Sequence, residues 1–135
     1  MSVMSQDPLI DAALAARNAA YAPYSRFTVG AALRTTDGAI HAGCNVENAA
    51  YPEGTCAEAG AIAAMALAGG RRIAEMVVAG GDAPCTPCGG CRQKLREFGG
   101  PEMVIRIVDA AGQTLLRTSL AELLPHSFGP DNLAR

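Results

Sequence analysis

Residues 55–80 read TCAEAGAIAAMALAGGRRIAEMVVAG, and the fold turns on how this stretch divides. From Thr55 to Ala68 it is Ala-rich and apolar nearly all round, the composition of a buried helix, and Gly69-Gly70 ends it. Residues 74–80 (AEMVVAG) then form a short apolar strand. Upstream, residues 27–35 and 39–46 are rich in β-branched and apolar types and flank Asp37-Gly38, a two-residue turn signal, which predicts a β-hairpin. Residues 7–20 open with Asp7-Pro8, an N-cap and first-turn pair, and carry apolar positions at helical spacing. Downstream of the strand, a Cys/Pro/Gly loop covers Gly81 to Gly90, and Cys91 to Phe98 has helical composition, stopping at Gly99-Gly100. Residues 103–108 and 114–117 read as strands about Gly112, and Ser119-Leu120-Ala121-Glu122 is a capping box for a short last helix halted by Pro125. Strands joined across helices predict a three-layer α/β/α architecture, with one mixed sheet of about five strands and helices on both faces. No linker, repeat or low-complexity tract divides the chain, so residues 1–135 are expected to form a single domain.

Half of the 135 residues are hydrophobic, yet only 4% are aromatic and Trp is absent, so the interior is built from Ala, Val, Ile, Leu and Met; the spread-out methionines read as core filler. A formal net charge of -2 gives no electrostatic reason to bind phosphate backbones or anionic membranes. No basic segment followed by a signal-length apolar run opens the chain, and no apolar run reaches the roughly 20 residues that span a bilayer. The expectation is a cytoplasmic protein with neither a nucleic-acid nor a membrane partner. In a reducing compartment its five cysteines point to metal binding or reactivity rather than disulfides.

Their spacing suggests zinc. A catalytic zinc takes three protein ligands, thiolates at about 2.3 Å among them, and keeps a fourth tetrahedral position open for water. Cys88 and Cys91 form a C-x-x-C at a loop-to-helix junction, and Cys56 stands at the start of the buried helix. One zinc and three thiolates sum to a charge of -1, which helix N-termini stabilise. Two registers read P-C-x-x-C, because Cys85 and Cys88 have the same spacing. Pro87 would lie between the ligands in that rival, removing an N–H that could bond a thiolate, whereas Gly89 and Gly90 let the backbone close around sulfur. This favours Cys88 and Cys91, with Cys85 a bystander.

Glu58 completes a T-x-x-E pattern with Thr55 and could be no more than a capping residue. Its position two residues after Cys56 on an apolar helix gives the alternative: a carboxylate that reaches the zinc's water without binding the metal, and so shuttles protons. Low dielectric would favour its neutral form and the metal its anion.

Cys56-Ala57-Glu58 and Pro87-Cys88-Gly89-Gly90-Cys91-Arg92-Gln93 closely resemble the C-A-E and P-C-G-x-C-R-Q motifs of the small, homotetrameric cytidine deaminases. Further matches are Ala22-Pro23-Tyr24-Ser25, Phe27-Thr28-Val29-Gly30-Ala31-Ala32-Leu33 and Asn45-Val46-Glu47-Asn48-Ala49, so the resemblance covers almost the whole chain. It implies a cytidine deaminase-like fold, one Zn2+ per subunit on Cys56, Cys88 and Cys91, and hydrolytic deamination of cytidine and 2'-deoxycytidine in pyrimidine salvage. It also implies ribose contacts from Asn45 and Glu47, stacking from Phe27, pyrimidine contacts from the backbone around Ala57, and Tyr51 and Phe128 as an aromatic pair lent by neighbouring subunits. From the residues alone, Phe27 could equally be core, Asn45 and Glu47 a solvated strand end, and Phe128 a loose tail.

One departure stands out. Many members carry Arg directly after C-A-E, where it offsets the charge of the ligand sulfurs, and this chain has Ala59. Arg92 or the helix N-termini are expected to take over that load. Among rivals, a deaminase of blasticidin S would share the metal motifs but not the ribose-binding match. Deaminases of DNA or RNA usually carry His at the position of Cys56 and need a basic channel, whereas Arg92, Lys94 and Arg96 read as a solvated helix face. A structural zinc module would need Cys44 or Cys85 as a fourth thiolate. His41 and His126 read as strand and loop residues rather than ligands.

Overall fold

A computed structural model of the chain describes residues 7–133. Helix α1 (Pro8–Asn18) begins where Asp7 caps it, its Oδ1 accepting from the N–H groups of Leu9 at 3.0 Å and Ile10 at 3.3 Å. Strands β1 (Gly30–Thr35) and β2 (Ile40–Cys44) make the expected antiparallel hairpin. Its loop is longer than Asp37-Gly38 alone. The N–H of Thr35 donates to Ala39 O at 2.8 Å and that of Gly38 to Thr35 O at 2.9 Å, so the loop is Thr36-Asp37-Gly38, with Gly38 at φ 95°. The left-handed residue that closes such a loop favours glycine. Phe27, expected at the start of the strand, lies before it. There the side chain of Asn45 takes the backbone groups that a neighbouring strand would otherwise pair: Oδ1 accepts from Val29 N–H and Nδ2 donates to Phe27 O, both at 2.8 Å.

The remaining elements are α2 (Ala57–Leu67), β3 (Ile73–Ala79), α3 (Gly89–Phe98), β4 (Val104–Val108), β5 (Thr114–Ser119) and α4 (Leu120–Leu123). Ser119 caps α4 as its capping box predicts, accepting from Glu122 N–H at 3.2 Å. The sheet order is β2-β1-β3-β4-β5, and the pair β3–β4 is parallel. The architecture is the expected mixed five-stranded sheet between helical layers. Alternation along the strands divides the interior in two. Ala32, Val77, Ala79 and Val108 pack with Leu9, Ile10 and Ala13 of α1, whereas Ala31, Leu33, Met76, Val78, Ile105 and Ile107 pack with α2, α3 and Leu120. Helix α2 is less enclosed than its composition suggests: Ala57, Glu58, Ala61, Ile62 and Met65 are buried but Leu67 is exposed, because small alanines leave its outer face to solvent.

Close backbone approaches lock the helices to the sheet. A Cβ on Gly43 of β2 would lie 2.3 Å from Ala61 N and 2.7 Å from Ala57 O, so only hydrogen at this position lets α2 sit where it does. On the opposite face Arg106 joins three elements, its Nε donating to Glu75 Oε2 at 2.5 Å and Nη1 to Asp7 Oδ2 at 2.6 Å. Among the described residues, no helix is long and apolar enough to cross a membrane.

Candidate metal centre and substrate cleft

The candidate site lies where β1 starts and β2 and β3 end, since Gly30 pairs with both Cys44 and Ala79. Two helices begin there. Cys56 is the N-cap of α2, Cys88 the N-cap of α3, and Cys91 stands in the first turn of α3. Their sulfurs all lie within 4.8 Å of one another, with Cys56 Sγ and Cys88 Sγ 3.9 Å apart. Cys91 is buried and Cys56 and Cys88 face outward. Three soft sulfur donors at that spacing fit Zn2+, and no fourth protein donor joins the cluster among the described residues. Cys85 is a half-buried wall residue packed on Gly80, and Cys44 ends β2, so neither supplies the fourth thiolate that a structural zinc module needs. The structure therefore groups the sulfurs in the Cys88/Cys91 register.

The capping-box reading of Glu58 does not hold. Thr55 is paired with Val46, donating N–H to Val46 O at 2.9 Å and accepting from Val46 N–H at 3.0 Å, which leaves Cys56 as the N-cap without a side-chain capping bond. Glu58 is instead 4% exposed and lines a cleft of about 300 Å3 together with Cys56 and Cys88. Burial pushes its carboxyl up from the ordinary glutamate range, against the opposing pull of its own backbone N–H and then of the Lys94 ammonium. The thiols differ: Cys88 is drawn down, chiefly by the backbone N–H of Cys91, and Cys91 is pushed up by burial.

Arg92 does not supply hydrogen bonds to the ligand sulfurs in place of the missing arginine at position 59. Its guanidinium donates through Nε to Pro87 O at 2.7 Å and through Nη1 to Leu123 O at 2.8 Å, and reaches Thr86 Oγ1 through Nη2 at 3.4 Å. All three acceptors are oxygens, so among the described residues Arg92 makes no hydrogen bond to a ligand sulfur, whereas the N-termini of α2 and α3 begin at the cluster. Nor are Arg92 and Arg96 a solvated face: Arg96 Nε donates to Ser127 Oγ at 2.9 Å, and its guanidinium pairs with Asp131.

Asn45, Glu47, Tyr51 and Ala57 also line the cleft, and Glu47 and Tyr51 continue into an adjoining cavity of about 390 Å3 with Tyr24, Ser25 and Asn48. Asn45 and Glu47 both clamp the segment before β1. Glu47 Oε1 accepts from the N–H groups of Tyr24 at 3.0 Å and Ser25 at 3.1 Å, and its Oε2 accepts from Ser25 Oγ. These bonds, led by the Ser25 hydroxyl, hold the Glu47 carboxyl below its ordinary range. The Phe27 ring lies over Gly80 and Gly81, 3.6 and 3.3 Å from where their Cβ atoms would stand, and lines neither cavity. Tyr51 is 77% exposed and meets Tyr24 edge-on, with ring centroids 6.1 Å apart. Phe128 is exposed and does not line the cleft, but its segment is not loose: Gln93 Nε2 donates to Phe128 O at 2.9 Å. His41 lies in β2 and His126 in a turn, as expected. Ser25 and Thr86 are the neighbours that sequence reasoning left without a role. Ser25 carried a signal, a hydroxyl two residues ahead of a backbone N–H that it can accept.

A thiolate centre without a fourth protein ligand, beside a buried acid, is the arrangement of a hydrolytic zinc enzyme rather than of a closed structural site. Residues 4–107 match the family model of the cytidine and deoxycytidylate deaminase zinc-binding region. Cytidine deaminase from Sporosarcina psychrophila is 40% identical over 132 residues, covering 97% of this chain and 96% of that one. Cytidine deaminase from Mycobacterium tuberculosis is 44% identical over 117 residues, 86% of this chain and 84% of its own. The crystal structure of cytidine deaminase from Burkholderia pseudomallei superposes with a TM-score of 0.84 at 45% identity, covering 93% of this chain and all of that one (100%). The chain belongs to the zinc-binding cytidine and deoxycytidylate deaminase family, and its cofactor is zinc.

Proposed function

We propose that this chain, as one domain over residues 1–135, hydrolyses cytidine and 2'-deoxycytidine to uridine and 2'-deoxyuridine with release of ammonia, a step of pyrimidine salvage. The observation that carries this is the buried carboxylate of Glu58 in the same cleft as two of three thiols grouped within 4.8 Å. Cys56, Cys88 and Cys91 hold the zinc, whose Lewis acidity acidifies the water that is consumed. Glu58 takes a proton from that water and delivers it to N3 of the pyrimidine as the water oxygen adds to C4. It then carries the second proton to the exocyclic amino group, which leaves as ammonia, so that water and cytidine balance uridine and ammonia. A carboxyl buried in the same cleft as Cys56 and Cys88 is placed to accept and donate protons in turn.

Phe27 stacks beside the ring, the backbone at Ala57 contacts the pyrimidine, and Asn45 and Glu47 bind the sugar. The bonds of Asn45 support this, since one amide N–H and one acceptor position remain after Val29 and Phe27 are satisfied. Tyr51 and Phe128, exposed aromatics at the cleft edge and beside α3, serve neighbouring subunits in a homotetramer. The enzyme works in the cytoplasm on free nucleosides rather than nucleic-acid strands or membranes. That choice is supported by the net charge of -2 and by the commitment of Arg92 and Arg96 to internal partners. The test is the ultraviolet absorbance of cytidine with purified protein. It is expected to shift to that of uridine, to stop after chelation, and to resume with added Zn2+; turnover that survives complete zinc removal would overturn the reading.

A further inference from the structure

Ser25 lines the cavity of about 390 Å3 that adjoins the cleft at Glu47 and Tyr51. Its Oγ accepts from Phe27 N–H at 3.0 Å and donates to Glu47 Oε2, and its own N–H donates to Glu47 Oε1 at 3.1 Å. With Tyr24 N–H also on Oε1, three of the roughly four acceptor positions of the carboxylate are filled from one short loop. The loop is not relaxed. Arg26, between Ser25 and Phe27, has φ 62°, a left-handed conformation that a side chain bearing Cβ adopts only where surrounding bonds impose it. The bonds that hold it there are those Ser25 donates to Glu47 and the one Arg26 N–H donates to Ala22 O at 3.0 Å.

We propose that Ser25 is a positioning residue for sugar recognition: its hydroxyl fixes the Glu47 carboxylate so that one acceptor position remains for a hydroxyl of the pentose, and ties that carboxylate to the backbone of Phe27. The proposal rests on the nucleoside reading of the cleft. A carboxylate free to rotate would satisfy itself with water and would have to be reoriented by each incoming sugar. One already bonded on three sides presents its last position at little further entropic cost. Ser25 lines the cavity next to Glu47 and not the cleft that holds Glu58, Cys56 and Cys88, so it acts on binding rather than on the proton transfers of Glu58.

The test compares kcat and KM for cytidine in the zinc-loaded wild type, Ser25→Ala, Ser25→Thr, Glu47→Gln and the Ser25→Ala, Glu47→Gln pair, with thermal melting to follow folding. Expected are a KM raised about tenfold in Ser25→Ala, the loss of one hydrogen bond's worth of orientation, with kcat changed less than about twofold. Ser25→Thr, which keeps the hydroxyl, recovers most of the loss. In the Glu47→Gln background, Ser25→Ala adds little, because a residue that works through another is non-additive with it. If Ser25→Ala melts early, Ser25→Cys gives the same comparison at nearly the same size. A full additive effect in the pair, or a lowered kcat at constant KM, overturns the positioning role while leaving the nucleoside reading in place. An unchanged KM in Glu47→Gln removes the sugar contact itself and the Ser25 proposal with it.

Discussion

The guanidinium of Arg92 donates to the carbonyl of Leu123 at 2.8 Å, fastening the helix that starts at the thiols to the end of α4, 31 residues away. The same side chain holds Pro87 O at 2.7 Å, directly ahead of Cys88. Arg92→Ala is expected to cost about 2 kcal/mol, since hydrogen bonds from a charged, part-buried donor are lost together and their acceptors left unmatched. Urea unfolding of the zinc-loaded protein measures this. Arg92→Lys recovers only part, because an ammonium cannot span the same set of acceptors. Full stability in Arg92→Ala would show that these contacts carry no load.

Glu58→Gln keeps the size and burial of a residue that is 4% exposed but can neither accept nor deliver the proton. Zinc content and melting temperature are expected to stay at wild-type levels while kcat falls by about a hundredfold to ten-thousandfold, the usual range for a lost acid–base group. Metal analysis alongside the kinetics separates this from loss of the ion.

Asp7 supplies a pH dependence on the opposite face of the sheet. Its hydrogen bond from Arg106 holds the carboxyl below the ordinary aspartate range, so the unfolded chain binds more protons than the folded one between the two values. The stabilisation is complete above about pH 5, a unit above the ordinary aspartate value, and disappears as pH falls through the depressed folded value. Allowing for solvent at a side chain that is 30% exposed, it is worth about 1 kcal/mol. Asp7→Asn keeps a capping oxygen for Leu9 and Ile10 but not the charge, and is expected to flatten this part of the acid limb in urea titrations from pH 7 to 3.

Gly43→Ala forces a methyl group into the backbone of α2, 2.3 Å from Ala61 N. The strand and helix must part, at about 1–3 kcal/mol. Because α2 carries Cys56 as its cap and Glu58 in its first turn, zinc affinity and turnover are expected to fall together, in contrast to Glu58→Gln. Melting temperature and zinc competition against a chromogenic chelator report the two losses.

Local signals in the chain were readable wherever donor and acceptor lie a few residues apart. The Asp7 cap, the Ser119 capping box and the C-x-x-C spacing each emerge as local geometry. Misreadings occur where a distant partner decides. Thr55 has the composition of an N-cap, yet pairing with Val46 removes it from that role. The strand β1 starts late because Asn45, 16 and 18 residues away, occupies the backbone of Val29 and Phe27. Asp37-Gly38 announces a turn, but the Thr35–Ala39 pairing sets the loop length. At the site, the residues that gather were legible, whereas the duties of Arg92, Arg96 and Ser25 depend on carbonyls and side chains that no motif spacing relates to them.

The outward placement of Cys56 and Cys88, with sulfurs 3.9 Å apart, also governs how the protein must be handled. Once the ion is stripped, nothing separates two accessible thiols within reach of one another, and air can oxidise them to a cystine. Chelated preparations kept aerobically are therefore expected to lose about two titratable sulfhydryls per chain and to refuse reloading until a reductant is supplied. Chelation under argon stays reversible. Storage losses in such an enzyme then mark ageing of its sulfur chemistry rather than unfolding, and a thiol count distinguishes the two.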